Sequence, residues 1–348
     1  MDKRDVIRVL IVDDSAIVRK ILSETLNAEP DIEVVGTAPD PFVAANKIQA
    51  LAPHVLTLDI EMPRMDGLTF LRKLMQFRAL PVIVVSSLAQ RSCSTAFEAM
   101  RLGAVDVVAK PGGPFSVGDL KNTLPDKVRA AARARVISQA PAPKARIDVP
   151  ATCTDQQLIA IGASTGGTEA IRVVLEQMPA NSPGILVAQH IPAGFSAAFA
   201  DRLAKICSVR VREARDGDIV ERGLALVAPG DRHMVVRGGP QGYRVAIENG
   251  PKVCYQRPSV DVLFNSVAAT AGEFASAALL TGMGADGARG LMQIRLNNGS
   301  TVAQDEASCV VFGMPREAIR MGAAQRVLPL SEIAGALLSA ARKPMAIK

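Results

Sequence analysis

The chain has 348 residues, 49% hydrophobic and 21% charged, with a formal net charge of +6. That length suggests about two domains of roughly 100–200 residues, and the apolar content supplies each with a core, which excludes wholesale disorder. Lys and Arg are scattered except in one central segment, so no nucleic-acid-reading face is expected, and no apolar run is clean enough to span a bilayer.

In chain order, Val6–Val12 form an apolar run ending in Asp13 and Asp14. A helical pattern with Val18, Ile21, Leu22 and Leu26 follows it. Val55–Leu58 end in Asp59, Val82–Val85 lead into Ser86, and Val105–Ala109 lead into Lys110. Strands alternating with helices predict a parallel sheet with right-handed crossovers, whose carboxyl edge is where ligands bind. All of these polar residues fall on that edge. Carboxylates so placed repel one another unless a cation neutralises them, and oxygen ligands suit Mg²⁺. Lys110 adds positive charge and Ser86 a hydroxyl for a phosphoryl oxygen.

As a set, Asp13-Asp14, Asp59 within DIEMPRMDG, Ser86 within PVIVVSS and the Lys110-Pro111 pair resemble a two-component receiver domain. The resemblance implies a flavodoxin-like (βα)5 fold over residues 1–125, with Asp59 phosphorylated by a CheA-type histidine kinase. It implies that Asp13, Asp14, Asp59 and the Glu61 backbone carbonyl hold Mg²⁺, and that Ser86 and Lys110 sense the phosphoryl group. Val107 stands where many receivers carry an aromatic residue, so the likeness does not extend to an aromatic rotamer switch.

From 126 to 154 the composition changes to an Ala-rich basic piece (Lys127, Arg129, Arg133, Arg135), which can extend a terminal helix, followed by QAPAPKARIDVP. The second piece predicts an extended linker; docking of an acidic partner is the alternative use of the basic one.

Beyond it, Leu158–Ile161 read as a buried strand, then Gly162-Ala163-Ser164-Thr165-Gly166-Gly167 and a helix striped by Ile171, Val174, Leu175 and Met178. Strand, glycine turn, helix is the setting in which G-x-S-x-G presents a nucleophile, although a phosphate-binding turn has the same appearance. Ser164 then needs a base, and the chain has three histidines. His190 ends the run Ile185–Ala188 and should emerge on the same edge as Ser164; His233 opens a predicted hairpin, HMVVR–GGPQG–YRVAI, and is the second candidate; His54 reads as a surface residue. An acid must orient the imidazole. Asp286 lies in a glycine-rich loop after the strand Ala277–Leu280, with Asp305 its chief competitor. The order Ser–His–Asp differs from the Ser–Asp–His of α/β-hydrolases.

The segments GASTGG (162–167), QHIPAGFS (189–196), APGDRHM (228–234), RPSVDVLF (257–264), LLTGMGADGARG (279–290) and AQDEASCVVFGMPREAI (303–319) together resemble the catalytic domain of chemotaxis protein-glutamate methylesterases of the CheB type. The resemblance covers about residues 155–340 of a domain taken as 155–348 and implies a doubly wound, mostly parallel α/β fold with a β-hairpin. It implies a Ser164–His190–Asp286 triad, an oxyanion donor at the Met283 backbone N–H, and Thr165 bordering the site; it leaves His233 and Arg257 without roles. The implied reaction is metal-free demethylation of glutamate γ-methyl esters on chemoreceptor cytoplasmic domains, with deamidation of receptor glutamines as a second activity and the receiver gating the cleft. The five cysteines form no CxxC spacing, and no secretory segment opens the chain, so the cytoplasm is the expected location, without membrane insertion.

Overall fold

The computed structural model describes residues 6–111, 114–135, 156–239 and 242–340. The chain divides into two compact units, Met1–Gln139 and Ala140–Lys348. The first alternates strand and helix throughout: β1 (Ile7–Val12), α1 (Ala16–Asn27), β2 (Ile32–Ala38), α2 (Pro41–Leu51), β3 (Val55–Asp59), α3 (Gly67–Phe77), β4 (Val82–Ser86), α4 (Gln90–Arg101), β5 (Asp106–Ala109) and α5 (Pro114–Ala132). Its sheet has the order β2-β1-β3-β4-β5, all parallel, so the chain reverses direction of travel between β1 and β3. That reversal opens a crevice at the carboxyl edge. Continuous apolar strands are buried on both faces, and β3 and β4 have no exposed position at all. Helix starts follow from local chemistry: the Ser15, Asp40 and Asp66 side chains each accept from a backbone N–H of the helix they precede.

Helix α5 runs through Ala132, so the Ala-rich basic piece is helical over that stretch. Lys127 lies 2.5 Å from Asp106, and Arg129 pairs with Asp31 and Glu29. These two cations are engaged within their own unit rather than offered to an acidic partner. The Pro-rich part of the expected linker lies outside the described residues.

The second unit contains β6 (Leu158–Ala163), α6 (Gly167–Glu176), β7 (Gly184–Gln189), α7 (Phe195–Ala204), β8 (Arg210–Glu213), β9 (Ile219–Val220), β10 (Leu224–Val227), β11 (His233–Gly239), β12 (Gly242–Glu248), α8 (Val260–Ala271), β13 (Ala275–Leu279), α9 (Ala288–Leu296), β14 (Ser300–Gln304), α10 (Met314–Arg320), β15 (Arg326–Leu328) and α11 (Leu330–Ala340). Seven strands form a parallel sheet in the order β15-β14-β13-β6-β7-β10-β8. The β11–β12 hairpin pairs antiparallel where expected, and β9 joins it as a third strand that the sequence reading did not include. Strand β6 lies between β7, which follows it in the chain, and β13, which comes much later. The ends of these three strands therefore converge at a switch point. Beneath them, Val260, Leu263, Phe264 and Val267 of α8 join Leu291 and Ile294 of α9 in one buried cluster, which fixes the start of α8 close to the sheet edge.

Candidate active site

Register alone brings the first two polar groups together. Ala163 of β6 is paired with Gln189 of β7, and the His190 amide donates to the Ala163 carbonyl at 3.1 Å. Ser164 and His190 are the next residues along these neighbouring strands. The third strand continues the pattern: Leu280 N donates to Gly162 O (2.8 Å) and Ser164 N to Thr281 O (3.0 Å). The chain then turns back so that Asp286 Oδ2 lies 2.7 Å from His190 Nε2.

Two glycines permit this geometry. Gly166 takes φ +76° at the start of α6, so the left-handed residue of the turn is the glycine and not the serine. A side chain on Gly282 would sit 2.6 Å from Ser164 Cβ, closer than atoms can approach. Ser164 is partly exposed, whereas His190 and Asp286 are buried.

Asp286 is held by more than the imidazole. Its Oδ1 accepts from Ser259 Oγ (2.7 Å) and Asp261 N (3.0 Å), and its Oδ2 also accepts from Val260 N (2.7 Å). The last two donors are the first amides of α8, so the carboxylate occupies a helix N-terminus, which favours negative charge. Burial works to raise its pKa, but the hydrogen bonds from His190, Ser259 and Asp261 outweigh it and hold the carboxyl below the ordinary range. With a carboxylate at Nε2, that nitrogen carries the proton and Nδ1 keeps the lone pair; a chymotrypsin-type triad uses the two nitrogens the other way round. Nδ1 is buried and has no hydrogen-bond partner among the described residues. It therefore makes no hydrogen bond with Ser164 Oγ. Asp305, the competing acid, instead caps its own turn through Ser308 N (3.0 Å) and Ser308 Oγ (2.5 Å).

Around these groups, Gln189 Nε2 donates to Ser164 O (2.8 Å) and Thr281 Oγ1 to Thr165 O (3.0 Å), which fixes the backbone on both sides of the serine hydroxyl. Thr165 is buried and Met283 is half-buried in the loop two residues beyond Thr281.

The first unit carries its own cluster. Asp13, Asp14 and Asp59 offer carboxylate oxygens within 4.8 Å of one another. Lys110 Nζ stands 2.7 Å from Asp59 Oδ2 and 3.3 Å from Asp13 Oδ2; apart from this ion pair, those two buried oxygens accept no hydrogen bond among the described residues. Burial, against the pull of Lys110, pushes Asp59 up to about 6 and raises Asp13 as well. Such a charge-starved oxygen set fits a hard divalent cation. The Glu61 amide donates to Asp59 Oδ1 (3.0 Å) and its side chain accepts from Ser92 Oγ, while Ser86 Oγ is directed to the Ser92 carbonyl (3.3 Å).

A family model described as CheB methylesterase matches residues 159–337, and one described as response regulator receiver domain matches residues 9–122. The chain belongs to the CheB methylesterase family. A relative from Syntrophus aciditrophicus (strain SB), protein-glutamate methylesterase/protein-glutamine glutaminase 2, is 54% identical over 94% of this chain and 97% of its own length. A protein of the same name without the numeral, from Salmonella typhi, is 49% identical over 98% of this chain and 99% of its own. Among solved structures, the Thermotoga maritima CheB methylesterase catalytic domain matches with a TM-score of 0.51 and 34% identity, covering 53% of this chain and 97% of that one. The fold expected for both halves of this CheB-family chain, a receiver followed by an α/β catalytic domain, is the fold found.

Two residues left without roles acquire them. His233 Nδ1 accepts from Ser259 N (3.2 Å), and its Nε2 donates to Pro251 O (2.9 Å), so this imidazole braces the segment that holds Asp286. Arg257 forks onto Asp231 Oδ1 (2.9 and 2.7 Å) and reaches Gly250 O (2.9 Å). Ser259 itself was missed. Its sequence signal is that of an N-cap, which it also is, accepting from Val262 N at 3.3 Å; nothing local announces that a distant carboxylate docks there. Ser259→Ala removes both the cap and a donor to the acid. It should cost about 1–2 kcal/mol in urea unfolding and reduce kcat about tenfold with KM little changed; wild-type kcat would show that the hydroxyl does not support Asp286.

Proposed function

We propose that this chain is a protein-glutamate methylesterase that hydrolyses γ-glutamyl methyl esters on chemoreceptor cytoplasmic domains. The observation that supports the reading is that Ser164 and His190 take matched positions just past the ends of two adjacent strands, with Asp286 Oδ2 2.7 Å from His190 Nε2. His190 Nδ1 takes the Ser164 proton as Oγ attacks the ester carbonyl. The negative charge that develops on the carbonyl oxygen is met by backbone donors, of which the Met283 N–H is one and Thr165 a bordering residue. His190, now protonated and steadied by Asp286, returns the proton to the departing methoxy oxygen as methanol leaves. Water, activated by the same imidazole, then cleaves the glutamyl-serine ester and regenerates the hydroxyl. No step calls for a metal. A carboxamide presents the same carbonyl, so deamidation of receptor glutamines is proposed as the second activity.

Control lies in the receiver unit. Asp59 is the proposed phosphoryl acceptor from a CheA-type histidine kinase, with Asp13, Asp14, Asp59 and the Glu61 carbonyl as the ligands of Mg²⁺, and Ser86 and Lys110 as the groups that meet the phosphoryl oxygens. Mg²⁺ at this place supplies charge compensation for the incoming phosphoryl group. The receiver gates the catalytic cleft, phosphorylation shifting the chain toward the open form; such a shift requires the phosphoryl group to interact differently with the two forms. Among the described residues no helix is long and apolar enough to cross a membrane, and the cytoplasm is the proposed location.

The test is methanol release from a methylated receptor cytoplasmic fragment incubated with the full chain, with and without a small-molecule phosphodonor and Mg²⁺. Release that rises severalfold with the phosphodonor is expected. No release under either condition would sink the esterase reading, and release indifferent to the phosphodonor would sink the gating.

A further inference from the structure

Residues 250–258 carry a feature that the hydrolytic machinery leaves unused. Val253 and Gln256 exchange both backbone hydrogen bonds (3.1 and 2.9 Å), closing a two-residue turn around Cys254 and Tyr255. Both central residues have positive φ, +50° and +62°, the signature of a type I′ turn, for which Asn-Gly is the favoured pair. A tyrosine in the left-handed region is a genuine outlier, and Tyr255 gains no compensating burial, being 84% exposed. Backbone strain of this kind persists where surroundings impose it and is concentrated at functional sites.

Those surroundings are well defined. His233 holds Pro251 O, Arg257 holds Gly250 O, and Asp231 N donates to Arg257 O at 3.1 Å. The turn also lies beside the triad, for Cys254 Sγ is within 4.8 Å of the Asp261 and Asp286 carboxylate oxygens. An anchored turn thus presents an amphipathic ring to solvent beside the Asp286 carboxylate, from a backbone held in a costly conformation.

We infer that Tyr255 is a substrate-recognition residue, whose ring packs against the apolar side of the helical segment bearing the esterified glutamate. The inference rests on the protein-glutamate methylesterase reading. A protein substrate must lie over a site whose serine is only partly exposed, and an aromatic side chain on an anchored backbone turn beside Asp286 offers large contact area with few rotatable bonds. The ring touches neither the ester nor the triad, so its contribution is to binding a macromolecule and not to the chemistry.

The test compares two esters under phosphodonor and Mg²⁺: a methylated receptor cytoplasmic fragment, and N-acetylglutamate γ-methyl ester, which is too small to reach the ring. For Tyr255→Gly, the KM for the fragment should rise about tenfold, the scale of losing one aromatic contact in an interface, with kcat holding within about twofold. The ratio of kcat/KM on the fragment to that on the small ester should fall by the same factor. Tyr255→Phe should restore it. Because glycine relieves the positive φ, the thermal midpoint should be equal or higher. A ratio like that of the unaltered chain, or a lowered midpoint with both esters affected alike, would overturn the inference while leaving the esterase reading intact; no methanol from either ester with the unaltered chain would overturn both.

Discussion

Ser164→Ala is expected to reduce methanol release from methylated receptor by at least about 10⁴-fold, because the covalent route through the serine oxygen is lost and only binding and oxyanion stabilisation remain. The fold should be untouched. Ser164 is partly exposed, its Oγ has no hydrogen bond among the described residues, and its backbone stays held by Thr281 O and Gln189 Nε2. Equal urea midpoints for the variant and the unaltered chain would therefore accompany the loss. Undiminished release would exclude Ser164 as the nucleophile, and a large drop in stability would mean that the hydroxyl supports structure in a way the hydrogen bonds do not predict.

Asp59→Asn should eliminate acyl-phosphate formation and at the same time stabilise the metal-free chain. The sign follows from the raised pKa. Burial lifts Asp59 from 3.8 to about 6, so the folded state binds its proton more tightly than the unfolded state does. Stability then falls as pH rises from about 4 to 6 and stays lower above that window. The shift corresponds to at most about 3 kcal/mol at neutral pH, and removing the charge should recover about 1–3 kcal/mol of it. Calorimetry without divalent metal should find the variant more stable at pH 8 and equal at pH 4. Adding Mg²⁺ should stabilise the unaltered chain and leave the variant nearly unmoved, since a ligand that binds the native state adds stability by mass action. Continued stoichiometric labelling by a phosphodonor would move the acceptor elsewhere, and an absence of any gain at pH 8 would show that the acidic pocket is not charge-starved.

Much of this was legible in the sequence, for a physical reason. Buried parallel strands are written as continuous apolar runs, so Val55–Asp59 or Leu158–Ala163 identify themselves, and the residue that ends such a run is placed at the carboxyl edge by geometry alone. Asp59, Ser86, Ser164 and His190 all belong to that class. Asp286 was harder, because it stands seven residues past the end of β13 in a loop, and its selection over Asp305 needed the longer family pattern. The supports of Asp286 were not legible. Ser259 and His233 come from two segments remote in sequence from Asp286, and their roles depend on the tertiary docking of the start of α8, which no local period encodes. The Tyr255 turn was hidden for the opposite reason: Cys-Tyr contradicts the residue preference of a type I′ turn, so pattern alone argues against the conformation it adopts. The partners of Lys127 and Arg129 were not legible either, since Asp106, Asp31 and Glu29 are remote from them in sequence.

The docking of Asp286 on the first amides of α8 binds two kinds of information into one object. The acid is not an appendage of its loop but a plug in the end of a helix, with every oxygen spoken for. A longer side chain of the same charge would overshoot that socket, and transplanting the proposed triad to another scaffold would mean carrying α8 and its His233 brace along with it. In this fold Asp286 cannot be relocated without rebuilding the helix that receives it.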